Sequence, residues 1–176
     1  MRLFAIRLTS SETKCTFIAI NGSIMHPLLR NLLAAVAGLL VGGIVNGVIV
    51  DLSGMVLPPP AGVNPNDLES IKANIHLYEP VHFLFPFLAH ALGTLVGAFL
   101  AAKIAVANKM IPALIIGVMF LAGGIYMVTL LPAPTWFIAL DLIVAYIPMA
   151  YLGGKLGGGK TAAGSHLNTN DQLLDN

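Results

Sequence analysis

Four long apolar stretches, divided by short polar or proline-bearing segments, dominate the chain. They cover residues 32–50, 81–102, 110–131 and 136–152. Crossing about 30 Å of hydrocarbon takes about 20 helical residues, so each stretch is read as a membrane-spanning helix. The fourth is the shortest and carries Asp141 and Pro148; it spans if the flanking Thr135 and Gly153 join it. None shows the two-residue alternation over about ten residues that marks a barrel strand. The expected fold is therefore an all-α integral membrane protein, a four-helix transmembrane bundle with one substantial loop.

That loop, residues 52–79, follows the first span. Pro58-Pro59-Pro60 reads as a stiff extended spacer. Asn64-Pro65 has the form of a helix N-cap followed by proline at the first helical position, with Asp67 and Glu69 in the first turn. Leu68, Ile71, Ile75 and Tyr78 then recur at helical spacing. The pattern predicts a short amphipathic helix over residues 65–78, lying on the outer membrane face or packed on top of the bundle.

Composition fixes the solvent. The chain is 57% hydrophobic and only 10% charged, with a mean hydropathy of +0.85. An average soluble domain is about 25% charged, so this side-chain set cannot cover a soluble surface. Disorder and nucleic-acid binding each need a different bias. The net charge of +1 points to no acidic partner. A single cysteine, Cys15, excludes an intrachain disulfide and a CxxC redox pair.

Lysine and arginine placement sets the direction. Arg2, Arg7, Lys14 and Arg30 precede the first span, Lys103 and Lys109 separate the second and third, and Lys155 and Lys160 follow the fourth. Both termini are thus expected in the cytoplasm, leaving only Lys72 outside. Three regions follow. Residues 1–28 form a cytoplasmic N-terminal segment, 29–154 the membrane domain and 155–176 a disordered cytoplasmic tail. Residues 1–24 lack the form of a signal peptide. They are either a tail or an extension upstream of a start at Met25.

Small residues mark packing faces: Gly38/Gly42 and Gly43/Gly47 in the first span, Gly93/Gly97 in the second, Gly117/Gly124 in the third. Lipid supplies no hydrophobic drive between helices, so close backbone approach does the work, within the chain or in a homo-oligomer. Polar residues inside the spans carry more information, since each is costly in lipid and turns toward the bundle interior. Asn31 and Asn46 share the Gly38/Gly42 face. If the second span is one helix from Glu79, then Glu79, His82, Pro86, His90, Gly93 and Gly97 fall on one face. If Pro86 instead opens the helix, only His90 stays on it. With Asp141 in the fourth span and Tyr126 and Thr129 at the outer end of the third, the polar groups gather in the outer half. An outward-opening pocket lined by Asn46, His90, Tyr126 and Asp141 is expected, able to hold a small ligand or a proton.

Two chemistries compete for these residues. Glu79-x-x-His82, with His90, resembles part of a bundle metal site and could hold a divalent metal ion, although no second Glu-x-x-His and no HExxH accompanies it. Asp141 with His90 could instead form a proton relay, the inner half supplying few polar groups to complete it. Broken helices and inverted repeats are not evident. Otherwise no cofactor is expected. Residues 154–161 spell G-x-x-x-x-G-K-T, but they follow a span rather than a strand and only fifteen residues remain, so nucleotide binding is not expected.

The segments Glu79-Pro80-Val81-His82-Phe83, Phe87 through Thr94 and Pro134-Thr135-Trp136-Phe137 resemble an uncharacterised family of small four-span bacterial inner-membrane proteins. The resemblance covers about residues 26–157. It implies a bacterial inner-membrane location and brings no activity or site assignment. Three functions remain open: a non-enzymatic binding or assembly protein of the membrane, an ion- or proton-coupled transporter or channel subunit, and a metal-dependent membrane enzyme.

Overall fold

The structure, a computed structural model, describes residues 27–158. The expectations for the upstream segment, Cys15, most of the C-terminal tail and Lys160-Thr161 lie outside these residues. The described residues are predominantly helical, with no strand among them. Its elements are α1 (Pro27–Val56), α2 (Leu68–Ala73), 3₁₀ turns at Ile75–Leu77 and Pro80–Phe83, α3 (Leu84–Ile104), α4 (Met110–Leu130), α5 (Thr135–Val144) and α6 (Ile147–Leu156). Four units are long and apolar enough to cross a membrane: α1, the Pro80 turn with α3, α4, and α5 with α6. The molecule is built as an integral membrane protein. Both the start of α1 and the end of α6 lie at one end with Lys103, Lys109 and Lys155, here called the basic end; the opposite end carries the long loop.

Glycine sets the central seam, where α1 packs against α3. A Cβ on Gly38 would stand 2.5 Å from the Gly97 carbonyl, and one on Gly97 would stand 2.6 Å from the Gly38 carbonyl. One turn on, Gly42 and Gly93 approach each other in the same reciprocal way, at 2.6 and 2.8 Å. Such backbone-to-backbone contact is open only to glycine, and in lipid it replaces the missing hydrophobic drive. Gly43 and Gly47, one position round the helix, meet nothing within 4 Å. The two small-residue pairs of α1 therefore separate into an inward seam and an outward face.

At the basic end, Asn31 continues the seam. Its side-chain NH₂ donates to the Ala107 carbonyl at 2.6 Å, and its Oδ1 accepts from the Val106 N–H at 3.1 Å. Two backbone groups of the α3–α4 connection are thereby satisfied. Toward the same end, Ala98, Ala101, Ala102, Ala113, Ile116 and Ala150 form a wholly apolar core.

Several expectations are revised. The loop helix is shorter than residues 65–78. Asn64 Oδ1 accepts from the Asn66 N–H at 3.0 Å, an Asx turn one turn too early, and Asp67 then caps α2 by accepting from the Glu69 N–H at 3.1 Å. After Ala73, the Asn74 side chain donates to the Ser70 carbonyl at 2.8 Å and ends the helix, so the stripe from Leu68 to Tyr78 is not one continuous helix. At the other terminus, α6 runs on to Leu156. Gly153 sits against the Leu95 carbonyl, and a Cβ on Gly157 would stand 2.7 Å from the Phe99 carbonyl. The first three residues of the phosphate-loop match, 154–156, are therefore helix, with Gly154 packed against Met110 and Ala113 of α4.

The largest revision concerns the fourth span, which is interrupted. The last bond of α5 is Ala145 N–H to the Asp141 carbonyl at 2.9 Å, and the ladder resumes with Ala150 N–H to the Tyr146 carbonyl at 2.8 Å. Pro148 has no N–H to give the Val144 carbonyl, and its ring crowds that carbonyl. A broken helix therefore is present at membrane depth, where none was evident in the sequence pattern.

Candidate functional site

The interruption places three polar side chains together. Asp141, in the last turn of α5, is 4% exposed, and Tyr146, in the break itself, is 1% exposed. His90 reaches them from α3. Its Nδ1 lies 2.9 Å from each Asp141 carboxylate oxygen, and the Tyr146 hydroxyl donates to Oδ2 at 2.8 Å. The hydroxyl also stands 3.0 Å from His90 Nδ1, and the two rings stack at 5.6 Å. An ionised carboxylate accepts only, so Nδ1–H and Tyr146 O–H both point at it. That assigns the imidazole tautomer by partner chemistry. Nε2 then makes no hydrogen bond among the described residues, on a side chain that keeps 24% exposure.

Each element contributes for a local reason. Tyr146 fits because Gly124 of α4 leaves room for its hydroxyl and ring. Ala91 and Ala145 are small enough to bring α3 and the break together around the phenol, with Phe87, Phe120, Leu121, Leu142 and Met149 packed about them. The site lies toward the loop end: Asp141 is about 9 Å into its span at 1.5 Å per residue. The apolar alanine core lies between the site and the basic end.

The other residues singled out from the sequence are placed as follows. Asn46 stands on α1 beside Gly93, its Cβ 2.9 Å from where a Cβ on that glycine would be, and its Oδ1 is buried without a hydrogen-bond partner. Tyr126 is 63% exposed on the outer surface of α4, away from the triad. Glu79 and His82 precede α3 rather than belonging to it, as the Pro86 alternative required. They form a capping box: His82 Nδ1 accepts from the Glu79 N–H at 3.2 Å, while Nε2 donates to the Pro58 carbonyl at 3.4 Å. His82 has both nitrogens occupied and His90 is turned to Asp141, so Glu79, His82 and His90 do not converge. Among the described residues, no group of three or more His, Cys, Asp or Glu side chains could hold a metal ion.

No family model, curated protein or solved structure matches the chain.

The sequence reading missed Tyr146 and Thr94. Thr94 lies one turn from His90 on the same face of α3, fully buried, its hydroxyl without a partner.

Proposed function

We propose that this protein is a proton-linked membrane carrier whose proton site is the His90–Asp141–Tyr146 triad. One observation carries the reading: a buried carboxylate, held by an imidazole and a phenol, sits at the break of a spanning helix. Intramembrane ionisable groups are costly and mark ion and proton pathways, and irregular backbone at that depth belongs to protein interiors or water-lined cavities. Histidine is the side chain whose ordinary titration falls between about pH 5 and 8. Asp141 fixes Nδ1–H, which leaves Nε2 as the atom that takes the proton. Uptake converts the pair from a net −1 to neutral.

The groups facing this imidazole are few. From α5 and the break come Asp141 and Tyr146; α4 places Gly124 against the Tyr146 phenol and Phe120 and Leu121 on the Ala91–Ala145–Tyr146 cluster, none of them titratable. Asp51 of α1 is exposed, and Glu79 and His82 sit at the mouth of the span. With the positive-inside direction, the site opens to the outer side and exchanges protons there.

Proteoliposomes holding a pH-sensitive dye test the reading. Wild-type protein should collapse an imposed pH gradient faster than empty vesicles, and Asp141→Asn should remove most of that excess. A flux that Asp141→Asn leaves unchanged refutes the relay. A binding or assembly protein would give a flux equal to that of empty vesicles.

A further inference from the structure

Three lysines gather where α6 ends. Glycine brings this end of α6 onto both of its neighbours. A Cβ on Gly157 would stand 2.6 Å from Ala102 Cβ and 3.2 Å from the Lys103 backbone nitrogen, and one on Gly154 would stand 2.7 Å from the Met110 sulfur. The end of α6 is thus seated against the last turn of α3 and the first turn of α4. Gly158 turns the chain with a φ of +90°, its N–H bonded to the Lys155 carbonyl at 3.1 Å. The Lys109 ammonium lies 3.7 Å from where a Cβ on Gly158 would be. Lys103 and Lys155 occupy the last turns of α3 and α6, and Lys109 immediately precedes α4. Close backbone packing therefore holds the three lysine positions around one point, Gly157-Gly158.

Nothing among the described residues neutralises this cluster. Their single ion pair is His90–Asp141, and their other acids, Asp51, Asp67, Glu69 and Glu79, lie toward the loop end. Lys155 Nζ lies 5.4 Å from the centre of the Tyr151 ring, a contact that steadies the ammonium and leaves its charge in place. The helix ends do not balance it either. The C-termini of α3 and α6 bring about half a negative charge each, and the N-terminus of α4 about half a positive one. Most of three positive charges remains, so the counter-charge comes from outside the chain.

Depth and surroundings identify the anion. All three lysines stand at the ends of spanning segments, the level at which long basic side chains reach the membrane interface. Tyr151 and Leu152 lie one turn deeper on α6, and they are exposed together with Leu156, Phe99 of α3 and Ile111 of α4. A soluble anion would meet only the charge; a phospholipid meets the charge with its phosphate and the apolar side chains with its acyl chains. Basic pockets between spanning helices are a general mode of anionic headgroup recognition. We propose that the Lys103–Lys109–Lys155 cluster binds the phosphate of an anionic phospholipid whose acyl chains lie along the outward face of α6. A zwitterionic headgroup is disfavoured because it carries its own cation to the lysines. Arg30 supplies charge at the same end without joining the site, since α1 is not among the helices packed on α6. The site stands apart from the triad and does not depend on its chemistry.

The experiment uses the full chain in detergent, titrated with dioleoylphosphatidylglycerol or, separately, with dioleoylphosphatidylcholine. Native mass spectrometry counts the lipid retained, and the thermal unfolding midpoint is followed across each titration. One phosphatidylglycerol should be retained per chain with a saturable rise in the midpoint, and phosphatidylcholine should give neither. Lys103→Gln, Lys109→Gln and Lys155→Gln should each weaken the apparent affinity about fivefold, the equivalent of about 1 kcal/mol for one basic group near a charged membrane surface. Lys109→Arg should keep the affinity, which separates lost charge from lost packing, and each variant's midpoint without lipid checks its fold. Arg30→Gln removes a charge outside the cluster and should change the affinity less than about twofold, since exposed charges at a distance are screened. An Arg30→Gln loss equal to that of the lysine variants means diffuse surface charge and overturns the site. Equal retention of the two lipids, or of neither, also overturns it. Glycerol 1-phosphate, the soluble headgroup, should leave the midpoint unchanged; a rise equal to that with phosphatidylglycerol makes this a soluble-anion site and overturns the lipid assignment.

Discussion

Tyr146→Phe removes one oxygen and nothing else, so it isolates the second donor to Asp141. The hydroxyl bond is 2.8 Å long and buried. A hydrogen bond to a charged group contributes about 1.5–3 kcal/mol in soluble proteins. Interhelical polar contacts in membranes average nearer 0.6 kcal/mol and reach about 1.7, because the unfolded chain in lipid also finds partners. A loss of about 1–2 kcal/mol is expected for this short, buried bond to a carboxylate. Gly124→Ala perturbs the same contact from the other side: its new Cβ would collide with the phenol oxygen and stand 2.7 Å from Cζ. Alone it should cost about 1–3 kcal/mol, the usual range for overpacking. Combined with Tyr146→Phe, it finds the space the oxygen vacated. The double variant should then be less destabilised than the sum of the singles by about 1 kcal/mol, well outside the roughly 0.3–0.5 kcal/mol within which independent sites add. The rescue is partial, since the ring carbon remains close. Equilibrium unfolding in mixed micelles measures all four corners of the cycle. Strict additivity would refute the placement of the hydroxyl on Gly124, and a wild-type stability for Tyr146→Phe would refute its role as a donor to Asp141.

Two further variants check the packing and the mouth of the site. Gly97→Ala puts a methyl 2.6 Å from the Gly38 carbonyl and should destabilise by about 1–3 kcal/mol in the same assay, whereas Gly47→Ala, with nothing within 4 Å, should stay within about 0.5 kcal/mol or gain helix propensity; equal effects would contradict the seam. His82→Ala removes half of the capping box and its bond to Pro58 and should cost about 1 kcal/mol, yet leave proton flux in proteoliposomes intact; a lost flux would place His82 in the pathway.

The spans were legible because an apolar run of sufficient length has one favourable solvent, and Asp141 and His90 because a titratable group in that run is too costly to be incidental. The seam was legible as well, since Asn31, Gly38, Gly42 and Asn46 repeat on one face of a regular helix. Tyr126 shows a limit of judging by depth. It stands two residues beyond Gly124, about 200° round the helix from the packing face, and its exposure follows from that angle rather than from its level in the membrane. The extent of the loop helix was misjudged for a different reason: Asn64, Asp67 and Asn74 all cap, and competition between neighbouring capping residues is decided by geometry that periodicity does not contain.

Tyr146 is the instructive omission. In an uninterrupted helix, residues 141 and 146 point about 140° apart, so no reading that treats the fourth span as continuous can direct both at His90. Pro148 carries the missing information, but only in a negative form: it withholds one donor and crowds one carbonyl. The turn this forces at Ala145 and Tyr146 swings the phenol back over the carboxylate, and Gly124 on another helix gives it a place to land. Three residues far apart in their helical phases therefore act as one unit. The same interruption that completes the triad also frees the Val144 carbonyl beside it, so a polar site and a cost in backbone hydrogen bonding arise from one residue. A proline about two turns beyond the only acid of its spanning helix is best understood as the element that builds the site.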